Sequence, residues 1–461
     1  MAEQIRLTLE SIAAMTGGRL MGPDRTINGF SIDTRTIRPG DLFFAIRGER
    51  FDGHDFIGDA VGAGAAGAVV SESREFPEPS LIVVSDTIRA LQALAAHVRR
   101  ESGSSVVAVT GSAGKSTTKE IAAEFLSARY RVFRNKGNLN NHIGLPLSLL
   151  ELRHKPDVAV VELGMNHFGE ISTLVNIAKP EVRVWTNVGP AHLEFFGTVD
   201  AIGEAKAEIM EGAGSDDVLV ANADDDLVMR HASRFAGRVR TFGIDRPADV
   251  WALGVRDLGI EGTVARVSTP IGEAEIRTPL PGVANLANVL AATAVALRFD
   301  VPLGDIVERA ADLKPVARRG EVTRTPTFTI VDDSYNSNPK ALTRALSMLV
   351  AETRYSRRVA VIGEMLELGE ASEALHRQAG REIAQSGVGL LIAVGGVSAR
   401  ALGEAAQAAG MPAADVHYAA DSHRAAEIAA SVVKAGDLVL VKGSRGIRTD
   451  IVVDRLKAGA G

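Results

Sequence analysis

A glycine turn between an apolar run and a helical pattern constrains this chain most. Residues 106–109 predict a buried strand, and a helix is predicted from Lys115 onward. Between them, Gly111 and Gly114 let the backbone bend tightly and approach a phosphate group. The amide groups at the start of the helix would then point toward that anion. The stretch therefore predicts a strand, a phosphate-binding loop and a helix.

The side chains of this loop have the chemistry that nucleotide phosphates require. Lys115 is expected to reach the β- and γ-phosphates, and the hydroxyl of Ser116 is expected to bind Mg²⁺. The strict motif has a further glycine five residues before Gly114, where this chain has Val109. An ordinary glycine-rich turn is the alternative, but the Lys-Ser-Thr-Thr run favours phosphate binding. The predicted ATP contacts are Gly111, Ser112, Ala113, Gly114, Lys115, Ser116 and Thr117.

Length and composition limit the class of protein. The chain has 461 residues, and at about 100–200 residues per domain this predicts two to four domains. The net charge of −6 is spread over interspersed residues of both signs, so no nucleic-acid partner is expected. The absence of cysteine excludes disulfides and favours a cytoplasmic location. Without an apolar run of membrane length or a signal-peptide pattern in residues 1–20, no membrane insertion is expected.

Changes of pattern along the chain predict an α/β protein with three domains. Residues 1–101 are predicted to form a small α/β N-terminal module. Residues 102–313 alternate strands with helices, which predicts a central P-loop domain with a mostly parallel sheet. Within it, residues 249–280 predict antiparallel hairpins at one edge. Residues 314–461 predict a second doubly wound, Rossmann-like domain without its own phosphate loop.

Polar residues that follow the predicted strands are candidates for a site, because ligands bind at the carboxyl ends of parallel strands. Glu162 follows a buried strand and is either a Mg²⁺ ligand or a helix cap. His192 follows another strand, but Mg²⁺ prefers oxygen, so the residue alone favours a hydrogen-bonding role. Asn138, Asn140 and Asn141 crowd one loop. Such residues usually form turns, but in a cleft they would recognise a peptide.

Other polar residues have a plain alternative that the sequence alone favours. Ser31, Thr34 and Arg35 place two hydroxyls and a guanidinium in one loop, a set that would hold a diphosphate. A turn with a surface arginine is the favoured alternative. His54 lies beside two aspartates, and a satisfied loop histidine is favoured over a metal ligand. Lys206 lies among acidic neighbours and is expected to be solvated.

Further motifs follow one another along all three predicted domains. They occupy residues 41–45, 48–52, 137–141, 189–197, 332–339, 364–369 and 441–445. Together with the Thr110-Gly111-x-x-Gly114-Lys115-Ser116 form of the phosphate loop, this series resembles the Mur ligase family. Members of that family are ATP-dependent amide-forming enzymes of peptidoglycan precursor assembly.

The resemblance implies a ligase that uses ATP and Mg²⁺ and forms an acyl phosphate and ADP. It implies a UDP-N-acetylmuramoyl-tripeptide as the acceptor and D-alanyl-D-alanine as the amine, with the protein acting as a monomer. The alternatives within the enzyme class are another member of the family or a folylpolyglutamate synthetase. An alternative from a different class is a P-loop ATPase or switch that hydrolyses ATP without joining substrates.

The resemblance also implies roles for single residues. Lys115, His192, Lys206 and Arg319 would be catalytic. Ser116, Glu162, His192 and Lys206 would hold Mg²⁺, Lys206 as a carbamate formed with CO₂, because carbamate oxygens suit Mg²⁺ and an ammonium repels it.

Substrate and nucleotide contacts follow from the same resemblance. Asn285 and Asn288 would lie near the adenine, and Asp333 would bind the ribose. Arg319 would reach the phosphates from the third domain. The loop with Ser31, Thr34 and Arg35 would receive the UDP part of the acceptor.

Overall fold

The computed structural model describes residues 4–71 and 80–459. The chain divides into two compact units. The first comprises Met1–Ala108, Arg129–Arg183 and Glu208–Asp217, and the second comprises Val109–Ala128, Val184–Ala207 and Val218–Gly461. The described strands form three sheets, whose strands come from successive parts of the chain.

Short strands and helices form the N-terminal module. In chain order they are α1 (Leu9–Thr16), β1 (Arg19–Met21), β2 (Gly29–Ser31), β3 (Asp41–Phe44), α2 (Ile57–Gly62), β4 (Gly67–Val70), β5 (Ser80–Val83) and α3 (Thr87–Ser102). The strand order is β1-β5-β4-β3-β2, where β1 runs antiparallel to β5 and the other pairs are parallel. This is the small α/β module that the sequence predicts.

His54 is buried in a short 3₁₀ turn, Gly53–Phe56, of the connection between β3 and α2, and both of its ring nitrogens have partners. Nε2 accepts a hydrogen bond from the amide of Ser71 at 2.9 Å, and Nδ1 lies 2.6 Å from Asp52 Oδ1. Because Nε2 is an acceptor, Nδ1 carries the proton and donates it to the carboxylate. The prediction of a satisfied loop histidine is confirmed.

The second sheet is larger and alternates with helices. Its elements are β6 (Ser105–Thr110), α4 (Lys115–Leu126), β7 (Val132–Arg134), α5 (Gly144–Leu149), β8 (Val158–Glu162), α6 (Glu170–Ala178), β9 (Val182–Trp185), α7 (Leu193–Phe196), α8 (Val199–Ala207), β10 (Val218–Asn222), α9 (Asp226–Ala232), β11 (Arg238–Gly243), β12 (Val250–Asp257), β13 (Thr263–Thr269), β14 (Gly272–Thr278), α10 (Val283–Arg298) and α11 (Leu303–Ala311). The strand order is β14-β13-β12-β11-β10-β9-β6-β8-β7. β12, β13 and β14 pair antiparallel at one edge, which confirms the predicted hairpins.

The third sheet belongs to the C-terminal part of the chain. Its elements are β15 (Glu321–Arg324), β16 (Thr329–Asp333), α12 (Pro339–Ala351), β17 (Arg357–Gly363), α13 (Ser372–Gln385), β18 (Leu390–Val394), α14 (Val397–Ala408), β19 (Val416–Ala419), α15 (Ser422–Val432), β20 (Asp437–Lys442) and α16 (Asp450–Gly459). The order is β15-β16-β20-β17-β18-β19, and only the β15–β16 pair is antiparallel among the strands described. Ile330 and Val331 belong to separate apolar cores, so both faces of the sheet are covered, as predicted.

His376 on α13 is completely buried and helps to fix the loop that follows β17. Its Nε2 accepts a hydrogen bond from the amide of Met365 at 2.9 Å, and its Nδ1 donates to the carbonyl of Ser372 at 2.7 Å. Burial lowers the pKa of His376 below its usual value. The ring is therefore neutral in the folded protein, where protonation of Nε2 would remove the acceptor for Met365.

We expect this histidine to make the folded protein less stable in mild acid. Below a pKa of about 6.5 the unfolded chain binds a proton that folded His376 does not, so the free energy of unfolding falls by up to about 1.4 kcal/mol per pH unit. Urea unfolding of wild type and His376→Gln between pH 7.5 and 5.5 measures this. The variant should have the flatter pH dependence, though not a flat one, because burial also lowers the pKa of His231. Equal slopes for both proteins would contradict the expectation.

Candidate active site

The phosphate loop joins β6 to α4 through two glycines with left-handed backbones. Gly111 has a φ of 146° and Gly114 a φ of 85°. A Cβ atom at Gly111 would lie 2.0 Å from Thr186 Oγ1, and one at Gly114 would lie 2.4 Å from Asn288 Oδ1. Backbone conformation and close neighbours therefore both require glycine here. Val109, where the strict motif has glycine, is buried within β6 and needs no such freedom.

The backbone just after β9 holds this loop in place. The side-chain amide of Asn187 bonds both backbone polar groups of Ala113: Oδ1 accepts from the Ala113 N–H at 3.0 Å, and Nδ2 donates to the Ala113 carbonyl at 2.9 Å. Thr186 Oγ1 also donates to that carbonyl. Ser112 Oγ exchanges hydrogen bonds with Gly189, donating to its carbonyl and accepting from its amide. The amide of Ser112 donates to the carbonyl of Asn187, and the amide of Ala113 donates to its side chain, so Asn187 fixes the loop at two consecutive residues.

Helix α4 presents its N-terminus at the end of this loop. Gly114 is its N-cap, and no side chain of the described residues caps the helix there. Lys115, Ser116 and Thr117 form the first turn, and Lys115 Nζ donates to the carbonyl of Gly111 at 2.8 Å. An uncapped helix N-terminus with a lysine favours an anion through the amide groups and the helix dipole.

Two asparagines of α10 lie beside the same helix, one turn apart. Asn288 Oδ1 accepts from the hydroxyl of Thr118 at 3.2 Å, and its Nδ2 donates to Asn285 Oδ1 at 3.1 Å. Asn285 Nδ2 in turn donates to the carbonyl of Pro281. The structure therefore brings these predicted nucleotide residues next to the phosphate loop, where Asn288 also explains why Gly114 has no side chain.

Glu162 ends β8 as a buried carboxylate held by a neighbouring loop. Asn140 Nδ2 donates to Glu162 Oε1 at 2.7 Å, and the amide of Glu162 donates to Asn135 Oδ1 at 3.0 Å. The following helix, α6, has Gly169 as its N-cap. The alternative that Glu162 is a helix cap is therefore wrong.

The other two loop asparagines have different surroundings. Asn141 Oδ1 accepts from the amide of Gly144 at 2.8 Å at the start of α5, which is the turn chemistry that the sequence favours. Asn138 is exposed, and its carbonyl accepts from the amide of Asn140. Of the three, Asn140 is the residue that touches a candidate functional side chain.

His192 is the N-cap residue of α7 and has a left-handed backbone with a φ of 63°. Its Nδ1 lies 2.5 Å from Glu367 Oε2, a carboxylate in the loop after β17. This hydrogen bond lowers the pKa of the Glu367 carboxyl. The sequence motif at 364–369 contains Glu367 but predicts no role for it, because only the fold brings it to His192.

Lys206 on α8 is buried, with 2% of its surface exposed. The expectation of a solvated lysine is therefore wrong. Burial of an ammonium group is unfavourable compared with its hydration, whereas the acidic neighbours in sequence suggested a surface position. The pattern misled because Glu204 and Glu208 are two positions from Lys206 in sequence, and residues two positions apart do not share a helix face.

Arg319 lies in a tight turn before β15, between two residues with left-handed backbones, Arg318 and Gly320. Its guanidinium carbon is 4.1 Å from the centre of the Tyr335 ring, a cation–π contact that holds the side chain in place. Asp333, at the end of β16, accepts a hydrogen bond on Oδ2 from Lys442 Nζ at 2.6 Å. The sequence did not predict that Lys442, which is buried, would orient this carboxylate.

The N-terminal loop forms a turn with a surface arginine. Ser31 is buried, and its hydroxyl accepts from the amide of Asp33 at 3.0 Å and lies 2.9 Å from Thr36 Oγ1. Thr34 begins a short helical turn. Arg35 is exposed and pairs with Asp33, which lowers the pKa of that carboxyl. The local geometry is the turn with a surface arginine that the sequence alone favours. Binding of a diphosphate by this loop stays a prediction.

The described part of the chain has neither a clustered metal site nor a membrane-spanning helix. No group of three His, Asp or Glu side chains is arranged to hold a metal ion among residues 4–71 and 80–459. The predicted Mg²⁺ ligands include only two residues of these types, Glu162 and His192. Within the same ranges, no helix is long and apolar enough to cross a membrane.

Three sheets with helices, the second of which carries the phosphate loop, define the class of protein, and family profiles identify it. The profile for the Mur ligase family catalytic domain matches residues 26–123. The Mur ligase middle domain matches residues 109–296, and the Mur ligase glutamate ligase domain matches residues 318–445. The chain belongs to the Mur ligase family, whose members are ATP-dependent ligases.

Individual relatives match most of the chain. UDP-N-acetylmuramoyl-tripeptide–D-alanyl-D-alanine ligase of Escherichia coli (strain K12) is 38% identical over 394 residues, which are 85% of this chain and 86% of that protein. The crystal structure of MurF from Acinetobacter baumannii is 31% identical and has a TM-score of 0.89, covering 99% of this chain and 100% of that one. MurF ligase from Thermotoga maritima in complex with ADP is 30% identical with a TM-score of 0.82, covering 94% and 98%.

The hydrogen bonds between Asn187 and the backbone of Ala113 lead to a prediction about nucleotide affinity. Asn187→Asp keeps the shape of the side chain but removes its donor and places a negative charge beside the phosphate loop. The dissociation constant for ADP should rise about tenfold or more, the equivalent of about 1.4 kcal/mol. Fluorescent-ADP titration measures this, with Asn176→Asp on the exposed face of α6 as the control. Unchanged affinity for ADP in a folded Asn187→Asp protein would show that the hydrogen bonds of Asn187 do not determine the conformation of the phosphate loop.

Proposed function

We propose that this chain joins D-alanyl-D-alanine to a UDP-N-acetylmuramoyl-tripeptide and converts ATP to ADP and phosphate, as a cytoplasmic step of peptidoglycan precursor synthesis. The observation that carries the proposal is the similarity over 99% of the chain to MurF from Acinetobacter baumannii, together with 38% identity to the Escherichia coli ligase. Another family member, a folylpolyglutamate synthetase or a non-ligase ATPase is not favoured, because the relatives reported above all carry the D-alanyl-D-alanine ligase or MurF name.

The reaction requires two displacements. A carboxylate oxygen of the tripeptide attacks the γ-phosphorus of ATP, the bond to the bridging oxygen breaks, and ADP leaves with that electron pair. The amine of D-alanyl-D-alanine then attacks the acyl carbon, loses a proton and expels phosphate. The first step concentrates negative charge on the phosphate oxygens, so it depends on charge neutralisation and positioning.

The chain's own cations provide that neutralisation in this proposal. Lys115 and the N-terminus of α4 bind the phosphates, and Arg319 approaches them from the turn before β15. The contact with Tyr335 limits the positions that the guanidinium samples. Asn285 and Asn288 contact the adenine side of the nucleotide.

The ribose is assigned to Asp333. Lys442 supports this role because its ammonium group is buried and bonds one carboxylate oxygen, Oδ2. Asp333 is itself only partly buried. A carboxylate fixed in this way is suited to accept hydrogen bonds from ribose hydroxyls.

Ser116, Glu162, His192 and a carbamylated Lys206 would hold Mg²⁺. Their donor chemistry fits: a hydroxyl, a carboxylate whose orientation Asn140 fixes, and an imidazole whose Nδ1 is already bonded to Glu367. When bound, Mg²⁺ supplies positive charge to the phosphate oxygens. Lys206 is buried at this position, and the oxygens of a carbamate there would suit Mg²⁺.

Several assignments complete the proposal. The loop with Ser31, Thr34 and Arg35 receives the UDP part of the acceptor, with the exposed Arg35 exchanging Asp33 for a phosphate. Asn138, Asn140 and Asn141 face the peptide part. The domains are assigned to residues 1–101, 102–313 and 314–461, and the protein acts as a monomer.

The ligase function predicts that ATP turnover needs both organic substrates. Phosphate release should be fast only when D-alanyl-D-alanine and a UDP-N-acetylmuramoyl-tripeptide are both present, and acceptors with lysine or diaminopimelate at the third position identify the natural one. Lys115→Ala should reduce turnover by at least about a hundredfold, since it removes the phosphate-binding cation. Rapid ATP hydrolysis without acceptor and amine would favour the ATPase alternative instead.

The carbamate at Lys206 has its own test. Lys206→Ala should be nearly inactive, and short-chain carboxylates such as acetate should restore part of the activity by occupying the space of the carbamate. Lys434→Ala, at an exposed position, is the control and should be unaffected. Wild-type turnover of Lys206→Ala at limiting Mg²⁺ would refute the assignment.

A further inference from the structure

Glu367 makes the closest polar contact to His192. Its Oε2 lies 2.5 Å from His192 Nδ1, so the ring donates the Nδ1 proton to the carboxylate. In the neutral tautomer that carries this proton, the lone pair of the ring is on Nε2. One hydrogen bond thereby fixes both the orientation of the ring and the nitrogen that can act as an acceptor.

Both partners of this hydrogen bond have backbones that side chains rarely adopt. His192 and Glu367 each have a φ of 63°. A left-handed backbone is unfavourable for residues other than glycine and is retained only where the surroundings enforce it. Two such residues facing each other indicate that the fold maintains this contact against a local preference.

The loop that carries Glu367 is fixed within the C-terminal domain. The amide of Met365 donates to His376 Nε2, and the amide of Leu366 donates to Ser444 Oγ, both at 2.9 Å. The side chains of Met365 and Leu368 are buried in the apolar core of that domain. Glu367 therefore projects from a loop that hydrogen bonds and buried side chains hold on both sides of it.

The segment that carries His192 is attached to the same loop through its backbone. The amide of Glu194 donates to the carbonyl of Glu367 at 3.0 Å, and Leu193 packs against the core that contains Leu368. A Cβ atom at Gly369 would lie 3.1 Å from Glu194 Cα. The backbone hydrogen bond and the apolar contact thus hold the segment with His192 against the loop with Glu367.

We propose that Glu367 is a positioning residue that sets the tautomer and orientation of His192 from the C-terminal domain. The inference rests on the role proposed above for His192 as a metal ligand. A carboxylate behind a metal-binding imidazole orients the ring and makes the other nitrogen a better donor to the metal. Here the two groups come from different domains, so His192 is correctly oriented only while the C-terminal loop is in contact with α7.

The tautomer can be measured without metal or nucleotide. In the full chain labelled with ¹⁵N-histidine, long-range ¹H–¹⁵N spectra distinguish a protonated Nδ1 from a protonated Nε2, and His192→Gln identifies the signal. Wild type should show Nδ1 protonated. Glu367→Met removes the acceptor and should shift His192 toward the other tautomer, whereas Glu367→Gln keeps an acceptor oxygen and should preserve it. Glu370→Gln, at an exposed position nearby, is the control.

Mn²⁺ serves as the metal probe in a second measurement. Its affinity, read from water-proton relaxation, should fall about tenfold or more in Glu367→Met and stay near wild type in Glu367→Gln and Glu370→Gln. A wild-type His192 protonated on Nε2, or a Glu367→Met protein with unchanged tautomer, would overturn the proposal. If His192→Gln leaves Mn²⁺ affinity unchanged, the metal role proposed for His192 fails, and the tautomer alone decides the role of Glu367.

Discussion

The hydrogen bonds between the Asn187 side chain and the backbone of Ala113 are the interaction on which the proposed nucleotide site depends. They fix a loop whose two glycines have no side chains with which to stabilise it. The N-terminus of α4 is directed by that loop, and Asn288 of α10 contacts it. An anion site made of backbone groups needs such external support, because its geometry and not its side chains creates the affinity.

The chemistry of the site depends on residues from more than one predicted domain. His192 follows a strand of the second sheet, and its partner Glu367 follows a strand of the third. Asp333 is oriented by Lys442, which is distant in sequence but lies in register with it on the neighbouring strand β20. Each pair is formed where strands end at the carboxyl edge of a parallel sheet, which is where α/β proteins place their ligands.

Strong local patterns could be interpreted correctly without the structure. The run from β6 through the phosphate loop to α4 was predicted because apolar β-branched residues, glycines and a helix start have distinct patterns. Among the strands of the second and third sheets, the sequence did not predict β7, β11, β15 or β19. These strands have exposed or half-buried residues at many positions, so they lack the continuous apolar run of a central strand.

The sequence by itself determined the family, the three-part α/β architecture and the phosphate loop, since each depends on motifs that are continuous in the chain. Only the tertiary structure decided that Lys206 is buried, that Glu162 is held by Asn140 and that His192 faces Glu367. The physical reason is that burial and pairing depend on which surfaces meet after folding. Charge, spacing and periodicity describe one segment at a time, whereas these contacts join segments that the sheets bring together.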